Sequence, residues 1–189
     1  ETGDGSFDEK ECKVGTAAFI ITGKNEDSSP MTGVCIVPGS PDSQSAFRSE
    51  TAGLYCIATL IGALCKYHKV GEGEEVTICC DGLSALNKTT EESWTMDLNK
   101  GNVDMIAATR EILEAAPVKW KPQHVYGHRD KIKGYKMNRV ETLNCKMDVA
   151  AKRYLPMAIA QANENRRMLH IFAEQWRLRF ATRKITRPL

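Results

Sequence analysis

The sequence predicts an α/β or α+β layer fold, on three observations. Extended and helical signals alternate along the first 160 residues. One stretch, Ser45 to Tyr67, carries apolar residues at a clear 3/4 spacing with no proline to break it. The whole chain, 189 residues with 42% hydrophobic and 26% charged, has the size and composition of one domain with a small appendage.

In order, an extended segment is expected around Asp4. Only three residues precede it, which suggests a chain excised from something longer. Val14 to Thr22 and Met31 to Val37 are β-rich runs on either side of the polar cluster 23–30, so they read as paired strands. The Ser45 to Tyr67 helix buries Leu54, Ile57, Ala58, Ile61, Leu64 and Cys65. Glu75 to Cys80 is a short apolar run, as in a strand covered on both faces, and Asp81 ends it. A short helix from Gly82 to Thr89 and one capped by Asn102 and stopped before Pro117 follow. Val118 to Tyr126 is a last strand, whose Pro122 suits an edge or an end. Residues 127–143 read as a long polar loop, of the kind that is often functional, and a helix runs from Asn144 to about Ala162. The domain is therefore placed at 1–160, with 161–189 a basic extension in which Phe172 to Thr186 reads as a β-hairpin.

Charge is nearly balanced, at 26 Lys and Arg against 24 Asp and Glu. Residues 159–189 nevertheless carry +5, which leaves −3 for the body. No apolar stretch approaches the roughly 20 residues of a membrane helix, so a soluble chain with no membrane partner is expected. Seven cysteines without a CxxC pair read as small buried hydrophobes in a reducing compartment, hence an intracellular protein in cytoplasm or nucleus.

Four acidic residues stand where solubility does not explain them. Asp4 opens Asp4-Gly5-Ser6 in the first strand, Glu50 lies near the start of the long helix, Asp81 ends a buried strand, and Asp148 begins the final helix. An ionised carboxylate at the end of a buried element is costly unless it is paired or bound to a cation. Each alone is more simply a cap or a solvated acid. Together, as an all-oxygen set, they suit a hard cation such as magnesium or manganese.

With these four in order, Arg48-Ser49-Glu50 on a helix, Gly127-His128 after the last strand, and Asn144-Cys145-Lys146-Met147-Asp148, the chain resembles type 1 ribonuclease H. That family includes the version at the end of retroelement reverse transcriptases. Asn99-Lys100-Gly101-Asn102-Val103-Asp104 adds to the likeness. The acidic order Asp, Glu, Asp, Asp differs from the Asp, Asp, Glu of transposase and integrase cores. The resemblance implies a mixed five-stranded sheet with helices on both faces, and polymerase domains covalently linked in a longer polyprotein. It implies a monomer that cuts the RNA strand of RNA/DNA hybrids, leaving 5′-phosphates and 3′-hydroxyls.

By the same resemblance, Asp4, Glu50, Asp81 and Asp148 hold two Mg²⁺ or Mn²⁺ ions, with Asp4 the bridge, and His128 assists proton transfer or product release. Gly5 and Ser6 meet 2′-hydroxyls, and Asn144 contacts substrate. Arg48, Lys88, Lys100, Arg129, Lys131, Lys133, Lys136 and Arg139 are the candidates for phosphate contacts. His124, inside a strand, is expected to be structural, and Trp94 and Trp120 to be core. Ala46, Phe47 and Leu83 replace the Asn pair and Gln often found in the family, which implies altered hybrid recognition. The alternative is a domain of this fold that binds or tethers nucleic acid without cutting it.

Overall fold

The computed structural model describes residues 1–10, 12–23, 29–97 and 101–185, with side chains described as far as residue 162. Five strands form one sheet: β1 (Thr2–Asp8), β2 (Val14–Ile21), β3 (Met31–Ile36), β4 (Glu74–Cys80) and β5 (Val118–His124). Their spatial order is β3-β2-β1-β4-β5. The first three are antiparallel neighbours, whereas β4 runs parallel to both β1 and β5. The helices are α1 (Ala46–His68), α2 (Leu83–Thr90), α3 (Val103–Ala115) and α4 (Arg139–Ile185).

Alternation along β2 explains why it reads as a continuous apolar run: both faces are covered. Ala17 packs with Ala52 of α1 and Met105 of α3, and Ile21 joins the main core with Leu54, Ile57 and Ile78. Ala18 and Ile20 point the other way, onto Met147 and Ala151 of α4. The expected mixed five-stranded sheet with helices on both faces is thus what forms.

Glycine lets α1 lie unusually close to β1. A β-carbon on Gly5 would stand 2.5 Å from the backbone of Ser49, and the Ser49 hydroxyl donates to the Ser6 carbonyl at 3.1 Å. Ser45 caps α1, its Oγ accepting the Arg48 amide at 3.1 Å, an interaction typically worth about 1 kcal/mol. This close docking carries Glu50 to the sheet.

Two expectations at the C-terminal end are corrected. Residues 139–143, read as loop, are already the first turn of α4, because Asn138 and Glu141 form a capping box. The Asn138 Oδ1 accepts the Glu141 amide and the Glu141 Oε2 accepts the Asn138 amide, both at 2.9 Å. The β-hairpin expected within 161–189 does not form, since α4 continues helical through Ile185. Alternating apolar and basic residues there gave a period-two pattern, but the stretch between Pro156 and Pro188 holds no glycine or proline to turn a hairpin. Among the described residues, no helix is long and apolar enough to cross a membrane, and no disulfide is present.

Candidate active site

The four acidic residues come from four separate elements and meet at one end of the sheet. Asp4 lies opposite Ala18 in register, so its side chain faces α4. Gly3 pairs with Cys80 on parallel β4, which brings Asp81, the next residue, beside Asp4. Glu50 arrives from α1 and Asp148 from α4.

Two glycines make room for this convergence. A β-carbon on Gly82 would overlap Oε2 of Glu50, and one on Gly127 would stand 2.5 Å from Oδ2 of Asp81. Asp81 Oδ1 is enclosed and has no hydrogen-bond partner. An ionised carboxylate so placed is under-satisfied.

Asp4 is buried, 5% exposed, and its carboxyl is pushed up to about 8. Burial is the main cause and the charges of Asp81 and Asp148 come next, against a lowering hydrogen bond from the Gly5 amide at 2.6 Å. Glu50 is pushed up to about 7, by burial and then by Asp81. Raising of this kind marks carboxylates that share a site without enough positive charge.

Asp148 has a local partner, with Lys152 Nζ 2.6 Å from Oδ1 and 2.7 Å from Oδ2. Lys152 is half exposed, and a pair of this kind is worth only about 0–1 kcal/mol, so it does not lock Asp148 against a divalent ion. His128 stands on the other side, its Nδ1 3.8 Å from Asp148 Oδ2 and its side chain 53% exposed. The residue adopts a left-handed backbone, φ 56°, at the tip of the turn that follows β5.

The donor set fits a hard divalent cation: it is all carboxylate, under-compensated, and includes an enclosed, unpartnered oxygen. Among the described residues, however, no three His, Cys, Asp or Glu side chains already stand at the spacing of a closed ion cage. Binding would therefore draw the carboxylates inward.

The structure moves two expected substrate contacts inward. Arg48 is 2% exposed, and its guanidinium is spent on Asp104 (Nη1 to Oδ1 2.8 Å, Nη2 to Oδ2 2.6 Å), the Pro38 carbonyl (2.6 Å) and Asn102 Oδ1 (3.3 Å). It ties α1 to the start of α3 and is too deeply buried to meet a phosphate. Burial alone would raise the Asp104 carboxyl, but the Arg48 contact holds it below its ordinary value. Asn144 is likewise buried, its Nδ2 3.4 Å from Asp4 Oδ2 and its Oδ1 accepting from Thr2 Oγ1 at 2.9 Å. Its place is behind Asp4.

Gly5 and Ser6 lie beside Asp4 on β1 as expected, though Gly5 is also required for the close approach of α1. Lys88 sits over the Phe47 ring at 5.0 Å. Lys100 lies outside the described residues. Lys131, Lys133 and Lys136 are exposed, Arg139 Nη2 donates to the Gly23 carbonyl at 3.2 Å, and Arg129 lies over the rings of Tyr126 and Tyr135. His124 is structural, its Nε2 3.1 Å from the Asp81 carbonyl. Trp120 packs against the core and donates to the Leu113 carbonyl at 2.8 Å, whereas Trp94 is only half buried, against Arg110.

The sheet order, the parallel β4 and β5, and helices on both faces decide the architecture. The fold is ribonuclease H-like. Solved structures similar to this chain include RNase H1 from the halophilic archaeon Halobacterium salinarum NRC-1, at 14% identity over 82% of this chain and 95% of that one, TM-score 0.48. Another is the N-terminal RNase H domain of a Mycobacterium tuberculosis protein, at 12% identity over 85% of this chain and 94% of that one, TM-score 0.48. No family model and no curated protein sequence matches the chain.

Proposed function

We propose that this ribonuclease H-like chain is a divalent-metal-dependent endonuclease that hydrolyses the RNA strand of RNA/DNA hybrids. One observation carries the reading: Asp4, Glu50, Asp81 and Asp148 converge from four elements closely enough for the Asp81 charge to raise both Asp4 and Glu50 and the Asp148 charge to raise Asp4. A structural role does not account for such an arrangement, which costs the fold free energy until positive charge arrives.

In this reading Asp4, Glu50, Asp81 and Asp148 hold the metal, Mg²⁺ or Mn²⁺. Bound there, two divalent ions supply the Lewis acidity that lowers the pKa of an attacking water and stabilises charge on the attacking and leaving oxygens at phosphorus. The protein's own groups set up that chemistry. Asn144, fixed by Thr2, and the Gly5 amide orient the Asp4 carboxylate. His128, beside Asp148 and exposed, carries a proton to or from the departing 3′ oxygen. The exposed lysines 131, 133 and 136 meet the phosphate backbone.

A non-cutting nucleic-acid-binding domain is the second reading, favoured by Ala46, Phe47 and Leu83 at the positions where the family often carries an Asn pair and a Gln. A panel of labelled RNA/DNA hybrid, single-stranded RNA, duplex RNA and duplex DNA with Mg²⁺ or Mn²⁺ separates the two. The nuclease reading expects RNA-strand cuts in the hybrid alone; binding to the hybrid without cleavage under either metal supports the second.

A further inference from the structure

Arg129 follows His128 directly, in the short 3-10 turn Arg129–Lys131. Its guanidinium lies 4.5 Å from the ring centroid of Tyr126 and 5.2 Å from that of Tyr135. Its Nε is enclosed and makes no hydrogen bond. A guanidinium lying over two rings in this way is attracted by both π systems, and arginine is the side chain whose weakly hydrated head permits it.

Both rings are anchored to the catalytic framework. Tyr126 meets the His124 ring edge-on at 5.1 Å, and His124 reaches the Asp81 carbonyl. On the far side the Tyr135 hydroxyl donates to Glu141 Oε1 at 2.8 Å, and Glu141 is one half of the capping box that starts α4. The Asn138 amide and then the Tyr135 hydroxyl hold the Glu141 carboxyl below its ordinary range, so it is a steady acceptor. A continuous chain of contacts therefore runs from the end of β4, through Tyr126, Arg129 and Tyr135, to the helix that carries Asp148.

We propose that Arg129 is a positioning residue: its contacts over the Tyr126 and Tyr135 rings brace the turn after β5 against α4 and so keep His128 beside Asp148. The kinetic consequence rests on the nuclease reading above; the brace itself does not. A phosphate contact at Arg129 makes the opposite predictions. Lysine would substitute for it, alanine would raise KM, and the salt slope of binding would fall by about one.

The test compares Arg129→Lys, Arg129→Ala and Tyr126→Leu with the wild-type chain in two measurements. Steady-state cleavage of a labelled hybrid is expected to show kcat lowered about five- to tenfold in all three, with KM within about twofold and an unchanged salt slope. Amide hydrogen exchange is expected to show faster exchange across residues 127–138 in all three, with the core strands unaffected. Exchange in that segment unchanged in Arg129→Ala overturns the proposal, and so does Arg129→Lys with wild-type kcat. If the wild-type chain does not cleave hybrid, the nuclease reading fails and the exchange comparison decides the brace alone.

Discussion

Gly82 leaves room for Glu50: a β-carbon at position 82 would overlap the Glu50 Oε2, so the carboxylate reaches the end of β4 only because residue 82 has no side chain. The obstructed atom is the far end of a flexible side chain, and the φ of Gly82 is −74°, which any residue adopts. Gly82→Ala should therefore fold normally, with a melting temperature within a few degrees of wild type, while cleavage with Mg²⁺ falls about tenfold or more. Gly5→Ala should lose stability as well. Its β-carbon would meet the α1 backbone, and overpacking of that kind costs about 1–3 kcal/mol, measurable by denaturant titration.

Stability should depend on pH with a sign set by Asp4 and Glu50. Both carboxyls titrate higher in the folded chain, near 8 and 7, than in an unfolded one, near 4. The folded state then binds more protons than the unfolded state between about pH 4 and pH 8, so metal-free stability is fully present below that window and declines as pH rises through it. Urea titrations in the presence of a chelator at pH 5 and pH 8 should show lower stability at pH 8. Added Mg²⁺ should restore it mostly at pH 8, and Asp4→Asn should flatten the chelated profile.

Arg48→Ala should act on stability and leave nucleic-acid contacts alone. Removing one partner of a buried, hydrogen-bonded ion pair typically costs about 3–5 kcal/mol, and Asp104, partly exposed, places this site near the lower figure. Denaturant unfolding reads the loss, and the salt dependence of hybrid binding should stay at the wild-type slope. A reduced slope would return Arg48 to the substrate surface.

His128→Ala should slow turnover while metal affinity, followed by calorimetry with Mg²⁺, stays within about twofold. Unchanged kcat at every pH would remove the role given to this imidazole.

How much of this was legible depends on how far apart the partners lie in the chain. The order of strands and helices followed from local period and turn chemistry, and Asp4, Glu50, Asp81 and Asp148 stood out as acids read near the ends of elements, although α4 starts earlier than expected and places Asp148 in its third turn. Arg48 looked like a phosphate contact because its partner, Asp104, is 56 residues away and nothing local announces the pair. Asn144 looked like a substrate contact for the same reason, its partners Thr2 and Asp4 being at the other end of the chain. The start of α4 was a different kind of miss. The Asn138-x-x-Glu141 capping box was present in the sequence and was hidden by the polar, aperiodic run around it. The β-hairpin expected near the C-terminus was a period-two pattern without the turn residues to support it.

The most direct test of the central claim uses one substitution. Asp81→Asn keeps size and one acceptor oxygen while removing the charge that raises both Asp4 and Glu50. With a labelled RNA/DNA hybrid and Mg²⁺, the wild-type chain should cut the RNA strand to 5′-phosphate products, and Asp81→Asn should be folded, at least as stable without metal, and inactive. Cleavage by Asp81→Asn at the wild-type rate, or none by well-folded wild type with either Mg²⁺ or Mn²⁺, would contradict the assignment of these four carboxylates to metal-dependent hydrolysis.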